Sequence, residues 1–136
     1  MIGVLIVAHD TLPDSLVKAV THVLGVRPPQ LETLSVAASD DPFDLLPSAR
    51  EVVRKLDTGD GVLIFTDIYG ATPGNLAGKL QAPGRVELIA GVNLPMLIRL
   101  EGARKVMGVH AAVAAAREAG RKYISVASEI LGEAAA

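Results

Sequence analysis

Apolar residues alternate along this chain between two patterns. Short unbroken runs at Ile2–Ala8, Gly61–Thr66 and Val86–Ala90 read as parallel strands covered on both faces, and Leu31–Val36 reads as a fourth, short strand. Between them the apolar positions recur at helical spacing. Leu12, Leu16, Val20, Val23 and Leu24 mark a helix over Leu12–Leu24, with Gly25 as its stop. Leu45, Leu46, Ala49, Val52, Val53 and Leu56 mark a second over Phe43–Leu56, whose first turn is left open by Pro42 and Pro47. Thr72 and Pro73 predict a helix start, with Thr as N-cap and Pro at the first helical position. Asn93 caps a helix running through Met96, Leu97 and Leu100, and the alanine-rich His110–Ala119 forms another, closed by Gly120. Tyr123–Ala127 is an isolated strand-like run.

Strands alternating with helices predict an α/β fold: an open, mainly parallel, doubly wound sheet with helices on both faces. Ligands in such sheets sit at the carboxyl ends of the strands. The polar residues fall there. His9-Asp10 follows the first strand, Ser39-Asp40-Asp41 the second, Thr66-Asp67 the third and Gly91-Val92-Asn93 the fourth.

Composition narrows the class. The 136 residues suit one domain, expected over 1–130, with a flexible tail over 131–136. Half the residues are hydrophobic and 21% charged, which excludes an intrinsically disordered chain. A net charge of −2 and only two Phe, two Tyr and no Trp argue against a nucleic-acid partner. The absence of Cys excludes disulfides, thiolate catalysis and Cys-held metal centres. No apolar run reaches the roughly 18–20 residues of a membrane span. The Ile2–Ala8 run has no basic residue before it and ends at His9-Asp10, so it makes a poor signal peptide. A cytoplasmic protein without membrane insertion is expected.

Three features carry chemistry. His9 stands where side chains emerge from the sheet, and a neutral imidazole there can be nucleophile, base or ligand; a histidine that merely tops the strand is the plainer reading. Asp67 ends the third strand. In a sheet of order 2-1-3-4 it lies beside His9, where a carboxylate on one ring nitrogen fixes the tautomer and frees the other to attack. Asp67 could instead cap its own turn, and both roles are compatible. Gly70-Ala71-Thr72-Pro73-Gly74-Asn75 is a turn entering a helix, whose free N–H groups suit an anion; an ordinary capped helix would look alike. It lacks the Gly-Lys-Ser/Thr of a Walker loop. Together the three read as a phosphohistidine site. His22 and His110 stand at no metal-ligand spacing from His9, and neither metal nor other cofactor is expected. A receiver domain would need clustered acids after the first strand, where His9 stands, and Ser15, Ser35 and Ser39 have no nucleophile-elbow context.

The chain resembles the mannose-type IIA component of the bacterial phosphoenolpyruvate-dependent sugar phosphotransferase system. The resemblance rests on Val4-Leu5-Ile6-Val7-Ala8-His9, Gly61-Val62-Leu63-Ile64-Phe65-Thr66-Asp67, Gly70–Asn75 and Ile89-Ala90-Gly91-Val92-Asn93-Leu94-Pro95-Met96-Leu97, in the family's order across most of the chain. It implies that His9 accepts a phosphoryl group from phospho-HPr and passes it to a IIB protein. It further implies that Asp67 orients the ring and that Gly70, Ala71 and Thr72 hold the phosphoryl oxygens. It also implies a homodimer that exchanges an antiparallel C-terminal edge strand, for which Tyr123–Ala127 is placed. Ala71 departs from a second glycine common in the family, and Tyr69 takes a place where a different aromatic is sometimes found. Neither a fused IIB domain nor a sugar-recognition element is expected within the 136 residues. Three alternatives stand beside this reading: a regulatory module read out by its phosphorylation state, the phosphotransfer subunit of dihydroxyacetone kinase, and a plain ligand-binding α/β domain. The Gly70–Asn75 and Gly91–Leu97 motifs argue against the second of these.

Overall fold

The computed structural model describes residues 1–132. Four strands, β1 (Gly3–His9), β2 (Leu31–Val36), β3 (Val62–Thr66) and β4 (Val86–Ala90), pair in parallel in the order β2-β1-β3-β4. Six helices accompany them: α1 (Leu12–Leu24), α2 (Pro42–Leu56), α3 (Thr72–Gly78), α4 (Leu94–Ala103), α5 (Val109–Lys122) and α6 (Ala127–Ile130). The central strands β1 and β3 are buried from end to end apart from His9, which is why they carry unbroken apolar runs.

Each sheet face has its own core. Val4, Ile6, Leu63 and Phe65 pack against α1, α4 and α5 through Val17, Val20, Met96, Leu97, Leu100, Ala112 and Ala116. Leu5, Val7, Val62 and Ile64 pack against α2 and α3 through Ala49, Leu56, Leu76 and Ala77. Alternation along each strand therefore sends successive side chains to opposite layers. The register sets Val7 beside Thr66 and His9 beside Val36. The carboxyl ends of β1 and β3 thus finish side by side.

Several local expectations shift. The buried face of α1 is Pro13, Val17 and Val20, with Leu16 and Leu24 partly covered, whereas Leu12 and Val23 face solvent. Gly25 ends α1 in a left-handed conformation (φ 81°) as expected. The Asp41 side chain caps α2, Pro42 opens it and Pro47 is carried inside it. Gly120 does not close α5, which runs on to Lys122; a Cβ there would lie 2.8 Å from Met96 Cε, so glycine lets α5 pass close to α4. Tyr123–Ala127 does not pair as a strand in the single chain. Instead α6 starts at Ala127, and Tyr123, Ile124, Val126, Ile130 and Leu131 are exposed. The four-stranded sheet offers this run only one partner on its side, the outer edge of β4. Residues 133–136 of the expected tail lie outside the described residues.

Arg104 was not singled out in the sequence. Its guanidinium is fully buried at the amino-terminal ends of the strands, donating to the carbonyls of Ile2 (2.9 Å), Pro29 (2.7 Å) and Gln30 (2.8 Å) and to Glu101 (3.1 Å). One planar fork thereby ties α4 to β1 and to the turn before β2. It stabilises the end of the sheet opposite His9.

Candidate functional site

The site forms where β1 and β3 end. His9 is the last residue of β1, and its side chain is 49% exposed. Asp67 follows β3 and is 17% exposed. Its Oδ2 lies 2.6 Å from His9 Nδ1 and accepts the His9 backbone N–H at 3.2 Å. Its Oδ1 accepts the N–H of Ile68 at 3.0 Å. The carboxylate therefore both orients the ring and caps its own turn. Burial pushes the Asp67 carboxyl up, but the hydrogen bonds from the His9 ring, the His9 N–H and the Ile68 N–H outweigh it, so it titrates below the ordinary carboxylate range.

An ionised Asp67 is an acceptor only, so the 2.6 Å contact places a proton on Nδ1. The neutral ring then carries its lone pair on Nε2. In this tautomer the free nitrogen is a nucleophile, and positive charge developing on the ring is matched by Asp67.

The backbone after His9 is unusual. Asp10 holds φ 50°, a left-handed conformation that Asp tolerates better than most residues, while its N–H bonds Val36 O at 3.0 Å. The turn redirects the chain into α1 and leaves His9 at the rim.

The Gly70–Asn75 segment flanks the pair. Gly70 takes φ 90°, which glycine allows freely. The cap position of α3 falls on Ala71, one residue ahead of the expected Thr72, and no side chain caps it. Among the described residues, the Thr72 hydroxyl caps nothing in α3. Among the described residues, the backbone N–H groups of Gly70 and Thr72 donate no hydrogen bond, while the turn over Tyr69 and Gly70 brings the Ala71 N–H toward Ile68 O. Gly74 packs beneath the turn, where a Cβ would sit 2.9 Å from Ile68 O. The ordering of this loop is therefore built on close backbone approach, and its Gly70 and Thr72 N–H groups remain available to an anion.

The Gly91–Asn93 turn closes the far side. Gly91 (φ 81°) donates its N–H to Asp67 O and Val92 donates to Thr66 O, both at 3.1 Å. Asn93 Oδ1 accepts the Met96 N–H at 3.1 Å, giving the expected cap of α4. Its Nδ2 also donates to Gly120 O at 3.0 Å, a bond to α5 that the sequence did not signal. His22 and His110 belong to α1 and α5, away from this edge. Among the described residues, no three His, Cys, Asp or Glu side chains gather as a metal site. No described helix is long and apolar enough to cross a membrane.

Residues 3–117 match the family EIIA-man, described as "PTS system fructose IIA component". The chain belongs to this family. The mannose-specific EIIAB component of the phosphotransferase system of Escherichia coli K12 is 30% identical over 104 residues, covering 76% of this chain and 32% of that protein. The chain thus spans about a third of the length of that relative. The transcriptional regulatory protein LevR of Bacillus subtilis is 24% identical over 106 residues, 77% of this chain and 11% of that protein. The crystal structure of a phosphotransferase component EIIA from Streptococcus agalactiae superposes with a TM-score of 0.84 at 22% identity, covering 95% of this chain and 99% of that one. The likeness to that structure is one of fold, and membership in EIIA-man sets phosphotransfer as the family's general activity.

Proposed function

We propose that the protein is a phosphoryl carrier of the sugar phosphotransferase system, accepting a phosphoryl group from phospho-HPr on His9 and passing it to a IIB protein. The observation that carries the reading is the 2.6 Å contact between His9 Nδ1 and Asp67 on a half-exposed ring. It directs attack to Nε2. In the forward step the Nε2 lone pair forms a bond to phosphorus as the bond from phosphorus to the donor's imidazole breaks. The Nδ1 proton stays between ring and Asp67, and the donor imidazole leaves with its electron pair. The onward step is the same exchange with the IIB acceptor, so no water or cofactor enters. The backbone N–H groups of Gly70, Ala71 and Thr72, with the Thr72 hydroxyl, face the phosphoryl oxygens. Because α3 has only seven residues, the N–H groups matter here more than a helix dipole. Positioning and charge stabilisation supply the rate.

The carrier acts in the cytoplasm as a homodimer in which the C-terminal segment is exchanged. Three features support the exchange. Among the described residues the outer edge of β4 is bridged at Val86, by Ala82, and open beyond it; a groove of about 660 Å³ lies between that open part and α5; and the segment after Lys122 exposes five large apolar side chains.

A second reading is favoured by the match to LevR: phosphorylation of His9 adds about two negative charges at the rim, and a partner reads that change instead of receiving the group. A chase separates the two. Wild type is phosphorylated by phosphoenolpyruvate, enzyme I and HPr, the donors are removed, and IIB protein is added. Loss of the group to IIB within seconds to minutes is expected for the carrier. A phosphoryl group that stays on the domain in the presence of active IIB proteins would favour the regulatory reading.

A further inference from the structure

We propose that Asn93 is a positioning residue for the His9–Asp67 pair, acting through the Gly91–Val92 turn and independently of its role as a helix cap. The inference rests on the reading of His9 as the reactive group. Asp67 is fixed at both ends. Its carboxylate is held by the ring and N–H of His9 and by the N–H of Ile68, and its carbonyl by the N–H of Gly91. The preceding carbonyl, that of Thr66, is held by the N–H of Val92. These last two donors lie in a turn that leaves the sheet in a left-handed conformation at Gly91, so the turn itself needs an anchor.

Asn93 provides it in two directions. Oδ1 holds the first turn of α4 through the Met96 N–H, and Nδ2 holds the last turns of α5 through Gly120 O. The Asn93 side chain is partly buried, and Gly120 is buried with a missing Cβ that would stand 3.4 Å from Asn93 Oδ1 and 2.8 Å from Met96 Cε. The space is therefore closed around the amide. A cap alone asks only for an oxygen, which Ser and Asp supply about as well as Asn. The amide nitrogen is needed only for the tie to α5. That tie fixes the direction in which the chain leaves β4, and with it the two N–H groups that hold Thr66 and Asp67. A shift of the Asp67 backbone moves the carboxylate relative to Nδ1, and errors of about 1 Å in such a pair cost on the order of 10²-fold in rate.

Asn93→Asp and Asn93→Ser separate the two roles. Asn93→Asp keeps the cap oxygen and removes the donor to Gly120, and Asn93→Ser does the same without adding charge. Two readouts on the full-length protein do not depend on any partner: the nitrogen shifts of the His9 ring, which report where the ring proton sits, and the pH titration of the Asp67 carboxyl carbon. Both variants are expected to stay folded, to place a larger share of the proton on Nε2, and to raise the Asp67 titration toward the ordinary carboxylate range. Phosphorylation by phospho-HPr should fall about 10-fold in kcat with little change in KM. Wild-type ring shifts and Asp67 titration in both folded variants would overturn the proposal and leave Asn93 as a cap. If wild type takes no phosphoryl group, the carrier reading fails, while the two resonance readouts still decide the positioning role.

Discussion

A carboxylate against one nitrogen of a histidine fixes three things at once: the ring's rotation, its tautomer and the charge it can tolerate. Asp67 does this for His9 through one short contact, and it also accepts two backbone N–H groups and, at 3.4 Å, the Thr66 hydroxyl. Asp67→Asn tests the tautomer directly. Its amide can donate to Nδ1, which leaves the proton on Nε2 and no lone pair on the nitrogen proposed to take the phosphoryl group. We expect Asp67→Asn to slow phosphorylation by about 10²–10⁴-fold while the fold persists, measured as single-turnover transfer from phospho-HPr. Rates within a few-fold of wild type would mean that the pairing does not set the chemistry. The same carboxyl fixes a pH dependence. Its folded pKa lies below the unfolded value of about 3.9, as does that of Asp57, which is held first by the Gly59 N–H and also by Arg85 and the Gly61 N–H. A depressed carboxyl contributes stability that is present above the unfolded pKa and is lost as pH falls through the folded one. Urea unfolding of wild type and Asp67→Asn should therefore differ most above about pH 4, with the gap closing as the pH drops below it. A gap that is constant from pH 7 to pH 3 would contradict the assignment.

At the scale of elements, the helix and strand pattern was legible because burial dictates it. β1 and β3 must be apolar on both faces, and α2 must turn Leu45, Leu46, Ala49, Val52, Val53 and Leu56 to the sheet. His9 and Asp67 were legible for a related reason: a polar residue ending an apolar strand of a parallel sheet stands at the edge where side chains emerge. What stayed hidden depended on partners distant in sequence. Gly120 reads as a helix stop until Met96 and Asn93 are found against it. Arg104 reads as a surface charge at the end of α4 until three carbonyls from other segments converge on it. That convergence makes a stability prediction. Arg104→Leu removes the charged partner of those carbonyls and leaves Glu101 without its close one, at a cost of about 3–5 kcal/mol. Arg104→Lys should be intermediate, since an ammonium cannot reproduce the fork. Equilibrium urea unfolding checks both, and a loss under about 1 kcal/mol for Arg104→Leu would show that the buried guanidinium contributes no more than an exposed ion pair.

On the scale of the whole molecule, the two ends of the sheet divide the labour. The amino-terminal edge is tied by Arg104, while the carboxyl edge carries His9, Asp67 and a loop with free N–H groups. Stability and the proposed chemistry are thus kept apart, and substitutions at His9 should spare the fold. The expected exchanged strand is not formed within one chain, where no described residue pairs with Tyr123–Ala127, whereas its apolar character and the β4 edge beyond Val86 both ask for cover. Light scattering should give a dimer for the full chain at micromolar concentration and a folded monomer for a chain ending at Lys122. A monomer in both cases would remove the exchanged strand from the account. The central claim is settled by intact mass spectrometry near neutral pH, after wild type and His9→Ala are each mixed with phosphoenolpyruvate, enzyme I and an HPr shown to be phosphorylated. The account predicts one acid-labile phosphoryl adduct on wild type and none on the His9→Ala variant. An adduct of equal size on both proteins, or none on wild type, would contradict it.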